Sequence, residues 1–140
     1  VNLTAREKLL LALTVYGEAR GESEQGRIAV AQVILNRASR PRWWGKSVEE
    51  VILKPYQFSC WNVGDPNAVL LRGAMNGINS ITETNAFIAC TAAVMEAQLL
   101  RFDLTNGADH YCTHKVRPSW FSQEKVTARI GGHVFFRLEA

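Results

Sequence analysis

Helix-start signals recur through the first hundred residues and then stop, and this asymmetry limits the folds open to the chain. Thr4-Ala5-Arg6-Glu7 is a capping box, in which the Thr hydroxyl and Glu carboxylate satisfy free amides at a helix start. Leu9, Leu13 and Tyr16 follow at i, i+4 and i+7, which predicts one shared buried face. A second helix opens near Ser23 or Glu24, with Ile28, Ala31, Ile34 and Leu35 as its apolar stripe and Val30, Val33 and Arg37 on an adjoining face. Ser47-Val48-Glu49-Glu50 reads as another capping box, opening a short helix that Pro55 stops. Asp65-Pro66 reads as an N-cap with proline at the first helical position. The longest helix is expected from about Thr84 to Leu100, with Phe87, Thr91, Val94 and Leu99 near one side.

After Asn106-Gly107 the texture changes. Val126 to Ile130 and His133 to Leu138 are β-prone, with Gly131-Gly132 between them, and predict a terminal hairpin. The expected class is mainly α (α+β) with a small C-terminal β-hairpin. No repeat, low-complexity segment or linker interrupts the chain, so residues 1–140 read as a single domain.

Composition narrows the function classes. With 47% hydrophobic and 21% charged residues the chain is globular rather than disordered. No apolar run nears the roughly 20 residues that span a bilayer, so membrane insertion is not expected. Val1 to Glu7 lacks the basic start and apolar stretch of a signal peptide. The net charge of +3 suits a polyanionic partner, but the basic residues are dispersed and no aromatic–basic motif accompanies them, which argues against nucleic acid. Cys60, Cys90 and Cys112 are too few for a disulfide scaffold and read as buried free thiols.

Three clusters could carry chemistry. Glu18, between Gly17 and Gly21, follows an amphipathic helix; a carboxylate partly desolvated there would have a raised pKa and serve as a general acid. By spacing alone a solvated surface glutamate near a helix end is the commoner case, since isolated glutamates are mostly surface residues. Glu22, four residues on, is a candidate second carboxylate, or else a structural partner of Arg20, Arg27 or the Gly17–Gly21 turn. Gln57, Ser59 and Trp61 lie in a loop dense in amide, hydroxyl and aromatic groups, as a sugar groove requires, whereas Phe58 reads as a core plug. Asp109-His110-Tyr111-Cys112-Thr113-His114 offers either groove-lining groups or, with His133, zinc ligands; the spacing supports zinc only weakly.

The stretch Val15-Tyr16-Gly17-Glu18-Ala19-Arg20-Gly21-Glu22 resembles the signature of the SleB/CwlJ-type cell-wall hydrolases, which include spore-cortex-lytic enzymes and related bacterial and phage proteins. The likeness continues through Ile28 to Arg37, Gln57 to Trp61, Asp65-Pro66-Asn67, Gly107 to Tyr111 and Arg129 to Phe136. The Cys-Trp form of the central loop looks more like Gram-negative bacterial or phage members than spore enzymes. No stretch of the chain corresponds to the separate wall-binding domain that spore enzymes often carry.

The resemblance implies a compact lysozyme-like fold related to lytic transglycosylases, acting on peptidoglycan glycan strands without a cofactor or metal. It implies that Glu18 is the catalytic acid, with the β-1,4 bond between N-acetylmuramic acid and N-acetylglucosamine as the target. Tyr16, Gln57, Ser59, Trp61, His110, Tyr111 and Trp120 are then candidate substrate-binding residues. The expected product is a 1,6-anhydro sugar, made by one carboxylate acting as acid and then base. Competing expectations are a hydrolytic muramidase in which Glu22 activates water, a zinc amidase using His110, His114 or His133, and a non-catalytic wall-binding module. Action on the cell wall, periplasmic or extracellular, and a monomeric state are expected, with phage lysis-type delivery a route that needs no leader.

Overall fold

The computed structural model describes residues 2–139; Val1 and Ala140, the ends of the domain read from the sequence, lie outside the described residues. Helix α1 (Ala5–Ala19) is followed by α2 (Glu24–Ser39), α3 (Val48–Leu53), α4 (Pro66–Met75) and α5 (Asn85–Leu99). Strands β1 (His110–Thr113), β2 (Val126–Ile130) and β3 (His133–Phe136) then form an antiparallel sheet in the order β1-β3-β2. The terminal hairpin is therefore β2–β3, and β1 adds a strand on its far side. No described helix is long and apolar enough to cross a membrane.

The caps explain where the helices begin. Thr4 Oγ1 accepts the Glu7 amide at 3.0 Å and Glu7 accepts the Thr4 amide at 3.2 Å, so the first capping box is complete. Glu7 also accepts the Glu49 amide, tying the start of α1 to that of α3. The second box is only half formed: Ser47 accepts the Glu50 amide, but the Glu50 carboxylate turns to the Lys46 amide instead of the cap's own. Ser23, Asp65 and Thr84 cap α2, α4 and α5.

Two apolar stripes differ from the sequence expectation. Helix α1 packs against α2, α3, α4 and α5, so Leu10, Leu11, Leu13, Thr14 and Val15 are all buried, while Leu9 and Tyr16 sit at its margin. A helix enclosed on most sides has no single stripe to read. On α5 the buried set is Phe87, Cys90, Ala93, Val94 and Ala97, and Leu99 is 73% exposed. The small residues permit the close approach to α1 and α2, and Leu99 belongs to the last turn, beyond that contact.

Strand β3 is buried along its length, and its two faces do different work. Phe135 packs with Ala29 and Val33 of α2, joining the sheet to the helices. Val134 and Phe136 face the other way, with Cys112, and are covered by Trp120 and Phe121. Register places Tyr111 opposite Phe135, and His110 opposite Phe136. Neighbouring residues of a strand point to opposite faces, so Tyr111 is aimed at the helices while His110 lies on the outer face.

Candidate active site

Glu18 lies within the last turn of α1, not beyond its end. Gly17 before it meets protein rather than ligand: a Cβ there would lie 2.8 Å from Cys60 Cβ and 3.1 Å from Leu71 Cδ1. The glycine thus lets the 3₁₀ turn Ser59–Trp61 press against α1, and this brings the Cys60 thiol into hydrogen-bonding contact with Glu18. From the sheet, Tyr111 donates its hydroxyl to Glu18 Oε1 at 2.5 Å.

Burial raises the Glu18 pKa above its ordinary value; hydrogen bonds from Tyr111 and Cys60 pull it down, Asp65 pushes it up, and the net shift is upward. The negative end of the α1 dipole acts in the same direction as burial. Desolvation and the nearby Glu18 raise the Tyr111 phenol well above its usual range, and burial likewise pushes up the Cys60 thiol. Both neighbours therefore remain protonated donors. The carboxyl is poised to hold a proton and, once it has given the proton up, to be stabilised as an anion by two donors already in place.

Glu18 opens onto a cleft of about 440 Å³ whose wall also includes Arg37, Trp43, Tyr56, Gln57 and Phe58, with His110, Tyr111, Trp120, Leu138 and Glu139 opposite in sequence. Asp109, fully buried, organises much of this wall. Its carboxylate accepts the Leu138 amide at 2.8 Å, the Glu139 amide at 3.0 Å and His110 Nδ1 at 2.8 Å. Burial alone would raise its pKa, but these hydrogen bonds outweigh it and hold the carboxyl below the usual range. The same residue thus pins the C-terminal segment into the cleft and orients the His110 ring, which packs 5.0 Å from Trp120. Tyr56 stands on the rim, 85% exposed, with a left-handed φ of 66° that side chains other than glycine seldom adopt.

The structure thus gathers Glu18, Gln57, His110, Tyr111 and Trp120 around one cleft. It does not bring Tyr16, Ser59, Trp61 or Glu22 there. Tyr16 packs at the core margin under the Arg20 guanidinium, 4.7 Å above its ring. Ser59 is exposed at the head of the 3₁₀ turn. Trp61 is 4% exposed, and its indole donates to Thr14 Oγ1 at 2.9 Å, which makes it a core residue with a satisfied polar edge. Glu22 Oε1 accepts the Gly132 amide at 2.9 Å, so this carboxylate fastens the β2–β3 turn to the start of α2.

The histidines fall on different surfaces. His110 is on the outer face of the sheet, His133 lies on the inner face 5.1 Å from the Tyr111 ring, and His114 is exposed with Nδ1 against the Gly132 carbonyl. Among the described residues no three His, Cys, Asp or Glu side chains converge to hold a metal ion, so the amidase expectation has no ligand set. All three cysteines are free and buried.

Sequence reasoning gave no site role to Arg37, Tyr56, Cys60, Asp109 or Glu139. Arg37 did leave a signal, a cation in step with Val30 and Val33 on a face that proves buried. Cys60 and Asp109 lie inside stretches that carry the family resemblance, but their contacts, like the positions of Tyr56 and Glu139, depend on segments distant in sequence.

Comparison with known proteins matches residues 21–136 to a family described as Cell Wall Hydrolase, a span that begins just after Glu18. The spore cortex-lytic enzyme of Bacillus subtilis is 42% identical over 74 residues, covering 50% of this chain and 24% of that protein. The spore cortex-lytic enzyme of Bacillus cereus is 38% identical over 131 residues, covering 90% of this chain. The chain spans 42% of the length of that relative. Among solved structures, the catalytic domain of the germination-specific lytic transglycosylase SleB from Bacillus anthracis is similar with a TM-score of 0.70 and 26% identity, covering 97% of this chain and 98% of that one.

Proposed function

The chain belongs to the cell wall hydrolase family, and we propose that it is a lytic transglycosylase that cleaves the β-1,4 bond between N-acetylmuramic acid and N-acetylglucosamine in peptidoglycan. The observation that carries this reading is the Glu18 carboxyl, raised in pKa by burial, open to a cleft and hydrogen-bonded by Tyr111 at 2.5 Å. A protonated carboxyl at a cleft wall is the general acid that glycoside cleavage needs. The Bacillus anthracis neighbour, the catalytic domain of a germination-specific lytic transglycosylase, supports the same chemistry.

In the proposed reaction Glu18 gives its proton to the bridging oxygen as the bond to the muramyl C1 breaks, leaving an oxocarbenium-like centre. The Glu18 carboxylate, stabilised by the Tyr111 hydroxyl and the Cys60 thiol, then takes the proton of the C6 hydroxyl on the same sugar. The C6 oxygen bonds to C1 and closes a 1,6-anhydro ring. Glu18 is protonated again, and no water is consumed. Trp43, Tyr56 and Trp120 supply aromatic faces for sugar stacking, while Gln57 and His110 offer polar edges to hydroxyl and acetamido groups.

One observation favours hydrolysis as a second reading. Glu139 lines the same cleft, with Trp43 Nε1 donating to it at 3.3 Å, and a second carboxylate could activate water. In that reading we assign the role to Glu139 rather than Glu22, because Glu139 lines the cleft. Mass spectrometry of fragments released from purified peptidoglycan separates the two. Anhydromuramic ends are expected; reducing muramic ends would transfer the assignment to a muramidase. Intact glycan with free stem peptides would overturn both.

A further inference from the structure

Among the described residues Arg37 is a buried cation with no carboxylate in ion-pair contact. Its residue is 5% exposed, yet it forms part of the cleft wall beside Glu18. Nε donates to the Asp109 backbone carbonyl at 2.7 Å, and Nη1 to Gln57 Oε1 at 3.3 Å. The guanidinium carbon lies 5.7, 5.3 and 5.6 Å from the rings of Trp43, Trp44 and Phe58. Among the described residues no carboxylate forms an ion pair with it. Asp109 hydrogen-bonds Arg37 through its backbone oxygen alone; its carboxylate, spent on His110 and the Leu138 and Glu139 amides, acts on the cation only through space. Glu139, in the same cleft, is engaged by Trp43 instead.

Burying a charge is costly unless it is paired, and cation–π contacts with three rings offset only part of that cost. Burial accordingly lowers the Arg37 pKa to about 10, against the opposing pull of Tyr111 and Asp109. A purely structural tether between the Asp109 carbonyl and Gln57 would not require a permanent charge. A charge held half-compensated at the edge of a substrate cleft is suited to an anionic or strongly polarised oxygen on the ligand, the fork geometry of guanidinium matching a carboxylate best.

We propose that Arg37 is the specificity-determining residue of the cleft, binding an acyl oxygen on the lactyl ether of muramic acid, most tightly as the free carboxylate, and so distinguishing muramyl glycan from a plain N-acetylglucosamine polymer. This rests on the glycan-cleaving reading above and adds to it the feature of the sugar that is recognised. Muramic acid differs from glucosamine at O3 by this lactyl group alone, and its acyl oxygen, amide-linked where a stem peptide is attached and anionic where it is not, is the acceptor that a plain N-acetylglucosamine polymer lacks.

The test is calorimetric titration of the Glu18→Gln protein, which retains the cleft but not the acid. The probes are a tetrasaccharide of alternating N-acetylglucosamine and N-acetylmuramic acid with free lactyl carboxylates, and the same sugar with those carboxyls reduced to alcohols. The carboxylate form is expected to bind at least about tenfold more tightly, as a charge-assisted hydrogen bond implies. Adding Arg37→Met should abolish this preference, and adding Arg37→Lys should restore part of it. Equal affinity for the two sugars in the Glu18→Gln protein would overturn the role of Arg37 and leave the glycan cleft standing, and that comparison does not depend on whether Arg37→Met folds. A preference that survives Arg37→Met would also overturn it. Failure of both sugars to bind would overturn both readings.

Discussion

Around Glu18 the chain closes on a carboxylate with hydroxyl and thiol donors; around Glu22, four residues later, it uses a carboxylate as a fastening. The Glu18 region joins three remote segments: the end of α1, the 3₁₀ turn carrying Cys60 and strand β1 carrying Tyr111. Its donors are protonated side chains, and its free edge faces a cleft. The Glu22 region joins the start of α2 to the β2–β3 turn through a backbone amide. There the Glu22 backbone carbonyl also accepts Arg27 Nη1, and the neighbouring His133 lies 3.9 Å from the carboxylate. Two glutamates of one short motif thus differ in what surrounds them: a desolvated cradle in one case and a turn clasp in the other. Only the first lines the cleft.

Removing the acid should have the largest effect. Glu18→Gln is expected to lower peptidoglycan cleavage by roughly a thousandfold or more while leaving the thermal midpoint little changed. Sacculus clearing together with a melting curve checks this, and retained cleavage would end the assignment. Tyr111→Phe comes next, with turnover lower by roughly ten- to a hundredfold. Without the hydroxyl the Glu18 anion loses a donor and its pKa rises further. Because Glu18 must be protonated to act as an acid, the alkaline limb of the rate–pH profile should move to higher pH. A limb that stays in place would detach Tyr111 from the reacting carboxyl.

Gly17→Ala probes the packing behind the cradle. The new Cβ would press on Cys60, so a loss of about 1–3 kcal/mol in stability is expected, with a several-fold fall in activity. Denaturant unfolding measures the first and a sacculus assay the second. Glu22→Ala should leave the Gly132 amide unpaired at a partly solvated turn, costing about 1 kcal/mol, with cleavage per folded molecule unchanged within a few fold. A collapse of activity without loss of stability would place Glu22 in the chemistry and erase the contrast.

The smallest effect concerns pH at the same clasp. Burial depresses the His133 pKa below its ordinary 6.5, against Glu22, which raises it, and with His114, which lowers it. The unfolded chain therefore binds the extra proton first, so stability is complete above about 6.5 and declines as the pH falls through that value towards the folded pKa. Hydrogen exchange should show the β2–β3 turn losing protection in this window before the Glu18 cradle does. Uniform loss across both regions would mean that they unfold as one unit.

Much of the helical framework was legible from local signals. Thr4 with Glu7, Ser23, Ser47 and Asp65 mark helix starts because a cap is satisfied within three residues of itself. The β2–β3 turn was legible for a similar reason: Gly131 takes a φ of +56°, and a Cβ there would lie 2.7 Å from Glu22 Oε1. The α1 and α5 faces were less legible. When neighbours enclose most of a helix, or when small residues rather than large ones make the contact, apolar spacing no longer marks one side.

What the sequence determined alone was whatever closes over a few residues: the capped helix starts, the change to β-structure near the end, and the motif containing Glu18. What only the tertiary structure decided was which groups meet Glu18 at the cleft. Glu18, Arg37, Tyr111 and Glu139 come together through the Tyr111–Glu18 hydrogen bond, the Arg37–Asp109 contact and the anchoring of residues 138 and 139 by buried Asp109. The balance of desolvation against hydrogen bonding sets whether a carboxyl is an acid, as at Glu18, or a clasp, as at Asp109, and that balance belongs to the packed molecule as a whole, since it depends on segments distant in sequence meeting at one place.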